Sequence, residues 1–137
     1  DVARCASGGE LSRIMLCLKD MMARYCSMPA MVFDEIDTGV SGSVADRMGS
    51  MICSMGSRMQ VFAITHLPQV AAKGEAHYLV SKSTETGRML STIEKLSDEG
   101  RVMEIARMLS GSELTDAAIA NARSLISKSR QSSPARK

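Results

Sequence analysis

Apolar residues recur along this chain at two different spacings, and each spacing predicts a different kind of element. Beyond residue 10 the spacing is helical, with charged residues between the apolar ones; the apolar positions are Leu11, Ile14, Met15, Leu18, Met22 and Tyr25. Two runs of four apolar residues, 30–33 and 61–64, are typical of strands buried on both faces in a parallel sheet. A helix that starts near Ser41 or Ser43 and is capped by Gly56 separates them. The order helix, strand, helix, strand predicts an α/β fold with parallel strands flanked by helices.

The second half of the chain predicts a β-hairpin followed by helices. After a short helical stretch at 68–72, residues 77–83 and 88–96 flank a Thr-Glu-Thr-Gly turn sequence at 84–87. Two amphipathic helices follow on either side of Gly111. From Ser127 onward the sequence is rich in Ser, Arg and Lys, which favours disorder. We therefore predict one lobe at 1–127 and a disordered basic tail at 128–137.

Composition limits the function classes that fit this chain. It has 137 residues, of which 45% are apolar, enough for one packed domain. No apolar run approaches the roughly 20 residues of a membrane-spanning helix, so we expect no membrane partner. The net charge is +2 and the last ten residues contribute +4, so residues 1–127 carry −2. The lobe is therefore not a basic platform for nucleic acid.

Candidate chemistry lies at the ends of the two predicted strands. Asp34 and Glu35 end the first, where ligands of open α/β sheets bind. One carboxylate there can hold Mg²⁺ and a second can deprotonate a water, although two solvated acids in a loop are the simpler alternative. His66 ends the next strand at the same expected edge. A neutral imidazole there can donate one N–H to a phosphate oxygen, but His66 considered alone is better explained as bonded to local backbone.

A glycine-containing sequence, Ser7-Gly8-Gly9-Glu10, precedes the first helix. It fits a capping box, in which Ser7 caps the helix and Glu10 bonds back to the Ser7 N–H. The two glycines are costly in a helix, by roughly 1 kcal/mol each relative to Ala. They are more easily explained if a ligand approaches the backbone at the helix N-terminus, where an anion is favoured.

Together these motifs resemble the heads of ABC-type ATPases. Residues 6–15, 33–42, 64–72 and 102–109 are closely similar to the bacterial DNA-repair family RecN, which belongs to the SMC-like ATPases. The resemblance extends from about Ala6 to Ile126. It implies that Ser7, Gly8, Gly9 and Glu10 form the signature motif, which contacts the ATP γ-phosphate held by a partner subunit. One departure is Ala6, where many ABC ATPases have Leu.

The same resemblance implies a role for each remaining candidate. Asp34 matches the Walker B acid that helps to hold Mg²⁺, and Glu35 matches the general base. Asp37 matches a nucleotide-site loop residue that crosses the dimer interface. His66 matches the switch histidine near the γ-phosphate.

One motif of such ATPases is missing from the chain. No Gly is followed by Lys, so the phosphate-binding P-loop, G-x-x-x-x-G-K-[ST], does not occur. The resemblance therefore implies the C-terminal lobe of a head whose N-terminal half carries the Walker A motif. It further implies ATP-driven pairing with a second head, DNA binding through the full-length protein, and a place in the bacterial cytoplasm at the nucleoid. We expect the full-length parent to hydrolyse ATP and this chain alone to be inactive.

Two alternatives remain open from the sequence. One is half of a transporter-type ABC ATPase, which the sequences at 37–42 and 65–69 disfavour. The other is a non-enzymatic binding module in which the acidic residues have no catalytic role.

Overall fold

The elements follow the predicted order. The structure, a computed structural model, describes residues 8–34, 36–37, 39–85, 88–111 and 113–132. In chain order the elements are α1 (Gly8–Tyr25), β1 (Ala30–Asp34), α2 (Gly42–Gly56), β2 (Gln60–Ile64), α3 (Pro68–Ala71), β3 (Tyr78–Glu85), β4 (Arg88–Lys95), α4 (Asp98–Ser110) and α5 (Asp116–Ser132). The predicted α/β class, with parallel strands, a hairpin and C-terminal helices, is confirmed. No helix in the described ranges is both long and apolar enough to cross a membrane.

The two apolar runs form a parallel two-stranded sheet. β1 and β2 pair from Ala30 opposite Gln60 to Asp34 opposite Ile64. Parallel neighbours need a crossover connection, and α2 provides it. Both strands therefore end at the same edge of the sheet, which fixes where the loops that follow them begin.

One face of this sheet is packed against helices. Phe33 is fully buried and Met31 nearly so. The core around them is built from α1, α2, the loop after β1 and α3; it comprises Leu16, Ala23, Val40, Ala45, Met48, Ile52, Met55 and Val70. Among the described residues, Phe33 is the one aromatic member of this cluster. Methionines therefore fill much of the volume that aromatic residues fill in many proteins.

The opposite face of the sheet is open, so the prediction of strands buried on both faces is wrong for this chain. Val32 is 57% exposed, and Phe62 and Ile64 are 52% and 56% exposed. Side chains alternate along a strand, so these three share the face opposite Phe33. Among the described elements, the helices that pack on β1 lie on the side of the sheet that carries Phe33. The apolar side chains of Val32, Phe62 and Ile64 therefore have no covering element within the described part of the chain.

Helix α1 also exposes much of its apolar surface. The predicted apolar stripe lies outward, each member being at least 45% exposed: Leu11, Ile14, Met15, Leu18, Met22 and Tyr25. The buried side of α1 is instead formed by Leu16, Asp20 and Ala23. Asp20 accepts hydrogen bonds from Arg24 and from Arg58, which precedes β2, each at 2.8 Å. The Arg24 pair lies within α1, whereas the Arg58 pair joins α1 to the segment that leads into β2.

A second core lies between α4 and α5. It consists of small and branched residues: Ala72, Ile105, Ala106, Ala118, Ala122 and Ile126. The antiparallel β3–β4 hairpin precedes it, with Tyr78 opposite Lys95 and Val80 opposite Ile93. Val80 and Ile93 are 59% and 72% exposed, so the hairpin projects with little cover on this face.

Buried Arg101 of α4 stabilises the junction before the hairpin. Its guanidinium donates to the carbonyl oxygen of Ala72 at 2.6 Å and to that of Glu75 at 3.4 Å. Burial, with the positive charge of Arg101 as a smaller cause, lowers the pKa of His77; Glu104 opposes this weakly. The fold therefore favours a neutral His77.

The C-terminal helix runs further than the sequence predicts. Helix α5 continues to Ser132 and so extends into the segment 128–137, predicted as a disordered tail, while 133–137 lie outside the described residues. Ser129 explains this extension. Its side chain is buried, and its hydroxyl shares one proton between the carbonyl oxygens of Ile126 and Ala72, at 2.7 and 2.8 Å. The polar residues after 127 thus include one with a defined tertiary partner.

We predict that Ser129→Ala destabilises the chain by about 1 kcal/mol, because it removes a buried hydrogen bond to Ala72. Ser127→Ala is the matched control, since the exposed Ser127 hydroxyl bonds only locally to the carbonyl oxygen of Ser124. Urea unfolding of the three proteins measures the difference. Equal stability of both variants would mean that the last turns of α5 do not contribute to the fold.

Candidate functional site

The candidate site lies at the edge of the sheet where β1 and β2 end. Asp34 is the last residue of β1 and stands opposite Ile64, the last residue of β2. Thr65 and His66 follow immediately. Parallel pairing therefore brings the first acidic candidate and the histidine to one edge.

Asp37 joins the two loops at this edge. It is 1% exposed. Its Oδ2 accepts a hydrogen bond from the Thr65 hydroxyl and another from the His66 backbone N–H at 3.3 Å. The Thr65 hydroxyl in turn accepts from the Leu67 N–H at 3.0 Å, just before α3. The loop after β1 is thus fixed to the loop after β2 through one carboxylate.

His66 combines an anchored edge with an exposed ring. Its Nδ1 lies 3.5 Å from Asp37 Oδ1, yet its side chain is 70% exposed. The Nδ1 side of the ring therefore faces Asp37, and the ring remains accessible to a ligand. From the sequence, the simpler interpretation was that the His66 side chain bonds to local backbone. In the structure its ring instead faces the carboxylate of Asp37.

The N-terminus of α1 reaches the same loop. Gly8, Gly9 and Glu10 form its first turn, where backbone N–H groups and the helix dipole favour an anion. Gly39 has φ +71°, a left-handed conformation that glycine adopts readily. A Cβ at Gly39 would lie 3.7 Å from the Gly9 nitrogen, so the two backbones are close together.

Asp34 has the chemistry of a single Mg²⁺ ligand. Its side chain is exposed and shares the open sheet face with Val32 and Ile64. In the described part of the chain no three His, Cys, Asp or Glu residues cluster at metal-binding geometry. Mg²⁺ is commonly held by one or two carboxylates together with phosphate oxygens and water, so one exposed carboxylate fits that mode of binding.

Two predicted site residues, Ser7 and Glu35, lie outside the described residues. Conversely, two neighbours of the site were not predicted as site residues from the sequence. Thr65 hydrogen-bonds to Asp37, and Gly39 lies beside Gly9. For Thr65, the sequence did contain a signal, because this residue lies next to His66 at the end of a predicted strand. The Gly39–Gly9 proximity depends on tertiary packing and has no local signal.

Comparison with curated proteins identifies close relatives. No family model matches the chain. The DNA repair protein RecN of Vibrio cholerae is 41% identical over 125 residues, which are 91% of this chain and 23% of that protein. RecN of Bacillus subtilis is 40% identical over 95% of the chain and 23% of its own length. RecN of Xylella fastidiosa is 46% identical over 90% of the chain and 22% of its own length.

A solved structure supports the fold independently. It comes from work on the structural biochemistry of ATP-driven dimerization and DNA-stimulated activation of SMC ATPases. The TM-score is 0.61 at 22% identity, and the match covers 80% of this chain and 65% of that one. The chain spans about a fifth of the length of the RecN relatives that it matches. The predicted resemblance to the RecN family of DNA repair proteins is confirmed over the segment that the chain spans.

Proposed function

We propose that this chain is the signature and Walker B lobe of a RecN-like ATPase head that acts in repair and recombination of broken DNA. The observation that carries this proposal is the convergence at one sheet edge. Asp34 and His66 follow paired strands, Asp37 joins their loops, and Gly9 of α1 lies beside Gly39. An ATPase site needs groups for metal, water and phosphate close together. This edge offers candidates for the metal and the phosphate, and Glu35, the candidate for the water, follows Asp34 in the sequence.

The relatives support the biological side of the proposal. Their name describes DNA repair, and the structural neighbour comes from work on ATP-driven dimerization and DNA stimulation of SMC ATPases. We infer the same for the parent of this chain: ATP pairs two heads, hydrolysis releases them, and DNA is bound through other parts of the protein in the bacterial cytoplasm, at the nucleoid. RecN relatives matching over nine-tenths of the chain disfavour the transporter-type alternative.

Each candidate residue has a proposed role in the hydrolysis of ATP. Asp34 would hold Mg²⁺, which neutralises phosphate charge when bound. Glu35 would accept a proton from the attacking water, and His66 would contact the γ-phosphate. The first turn of α1, with Ser7, Gly8, Gly9 and Glu10, would contact the nucleotide of the partner head. Asp37 stays a candidate for the nucleotide site.

The open sheet face is where we propose that the N-terminal, Walker A half of the same head docks. Parallel sheets are normally covered on both faces, but Val32, Phe62 and Ile64 are more than half exposed. The relatives are more than four times as long as their match to this chain, so they include sequence that could cover it. Asp34 lies on the same face, so docking there would bring a phosphate-binding loop towards the proposed Mg²⁺ ligand.

We predict that Val32→Thr is nearly neutral in this chain and costs about 1 to 3 kcal/mol in the complete protein, where a hydroxyl would be buried. Val70→Thr is the matched control. Val70 is 6% exposed in the core of this chain, so the same change should be costly in both proteins. Denaturant unfolding of both variants in both proteins gives the four values. A neutral Val32→Thr in the complete protein would place the N-terminal half elsewhere.

The assignment of the general base is tested in the complete protein. Glu35→Gln should slow ATP hydrolysis by about two to four orders of magnitude, because an amide cannot take the proton of the water. Nucleotide affinity should stay close to that of the wild type, and ATP-bound dimers should accumulate. Asp34→Asn should weaken Mg²⁺-dependent steps instead. Wild-type turnover in Glu35→Gln would remove Glu35 from the mechanism and assign the general base to another residue.

A site shared between two heads makes a further prediction. A complete protomer with Ser7→Arg should lose the signature contact, and one with Glu35→Gln should lose the base. Each homodimer should be inactive. The mixed dimer has one intact site, formed by Glu35 of the first protomer and Ser7 of the second, and should recover at most about half the wild-type rate if sites act independently.

The control for this mixing experiment is a dimer of one wild-type and one single-lesion protomer. Full loss of activity in that control would show that both sites must act together. An active control combined with an inactive verified mixed dimer would contradict the shared site.

A further inference from the structure

The Asp37 carboxylate is buried but incompletely hydrogen-bonded. Both assigned hydrogen bonds, from the Thr65 hydroxyl and the His66 N–H, go to Oδ2. Buried Oδ1 has no hydrogen-bond partner among the described residues. An unpartnered carboxylate oxygen away from water is costly, so this atom should attract a donor.

The imidazole of His66 is positioned to be that donor. Its Nδ1 lies 3.5 Å from Oδ1, just beyond ordinary hydrogen-bond length. The His66 side chain is 70% exposed, so the ring has room to rotate and close this gap. An ionised carboxylate can only accept, so the contact requires the proton of the imidazole to be on Nδ1.

We propose that Asp37 is a positioning residue that holds His66 with Nδ1 protonated and leaves Nε2 as the atom that meets a ligand. A neutral ring held in this way offers only a lone pair at Nε2. The doubly protonated ring offers an N–H there. Donation to a phosphate oxygen therefore requires the imidazolium form, with Asp37 as its counter-ion. This differs from the neutral donor expected from sequence.

The tautomer can be measured on this chain without nucleotide. The chain contains two histidines, His66 and His77, so long-range proton–nitrogen NMR yields two imidazole patterns. At a pH of about 9, above the ordinary histidine pKa, His66 of the wild type should show the Nδ1-protonated pattern. An Nε2-protonated His66 in the wild type would overturn the proposal, whatever any variant does.

Asp37→Asn should reverse the tautomer. The two donors at the Oδ2 position require the amide oxygen there, so the amide NH₂ would face Nδ1 of His66. Nδ1 must then accept, and the ring proton moves to Nε2. An unchanged His66 pattern, with the His77 signals still those of the folded chain, would overturn the proposal.

Two further variants separate positioning from a general effect on structure. Asp46→Asn is the matched control, because exposed Asp46 pairs with Lys73 and has no contact with His66; it should leave the tautomer unchanged. Thr65→Val removes the hydroxyl that bonds Asp37, so the carboxylate should become less ordered and the His66 signals should broaden. Thr65→Ser keeps a hydroxyl, so its His66 signals should stay as sharp as those of the wild type. Broadening by Thr65→Ser equal to that by Thr65→Val would contradict a role for the hydroxyl.

A kinetic test extends the inference and rests on the proposed ATPase function. If Asp37 acts through His66, the double variant Asp37→Asn, His66→Gln in the complete protein should be no slower than His66→Gln alone. Fully additive losses would overturn action through His66. The NMR result does not depend on turnover, so a failure of the ATPase proposal would leave the tautomer assignment intact.

Discussion

The parallel pairing of β1 with β2 determines where each group of the candidate site lies. Asp34 and Ile64 are opposite each other, so the two following loops start from neighbouring points. A shift of one residue in this register would exchange the faces of every side chain on the shifted strand. Such a shift would also move one loop start by about 3.3 Å along the sheet and disturb the contacts of Asp37 with Thr65 and His66. Phe33, fully buried beneath α1 and α2, fixes that register from the packed side.

The two faces of this short sheet differ in a way that relates the fold to the proposed function. The packed face supplies the stability of the lobe, whereas Val32, Phe62 and Ile64 on the other face remain accessible. A two-stranded sheet is marginally stable by itself and depends on the helices that cover it. The open face carries apolar residue types that usually lie in a protein interior, and this is the observation behind the proposed docking of the N-terminal half.

Local patterns in the sequence predicted most elements but not their partners. The four-residue apolar runs and the Thr-Glu-Thr-Gly sequence contain enough local information to locate strands and a hairpin. Exposure of the α1 stripe was not predictable, because periodicity reveals a helical face and not what covers it. The extension of α5 depends on Ser129 reaching Ala72, 57 residues earlier in the chain. The Asp37–Thr65 hydrogen bond likewise spans 28 residues, although the strand ends that bring it about were visible.

The loop between β1 and α2 makes contacts at two places that are close together in the chain. Asp37 binds the loop that carries His66, and Gly39 lies beside Gly9 at the start of α1. Residues two apart have Cα atoms separated by at most about 7 Å. If the start of α1 moves and this loop moves with it, the backbone must take up the movement within this short span, or the histidine moves as well. Under the proposed function, this loop would be the short connection between the histidine at one nucleotide and the helix end that meets the other.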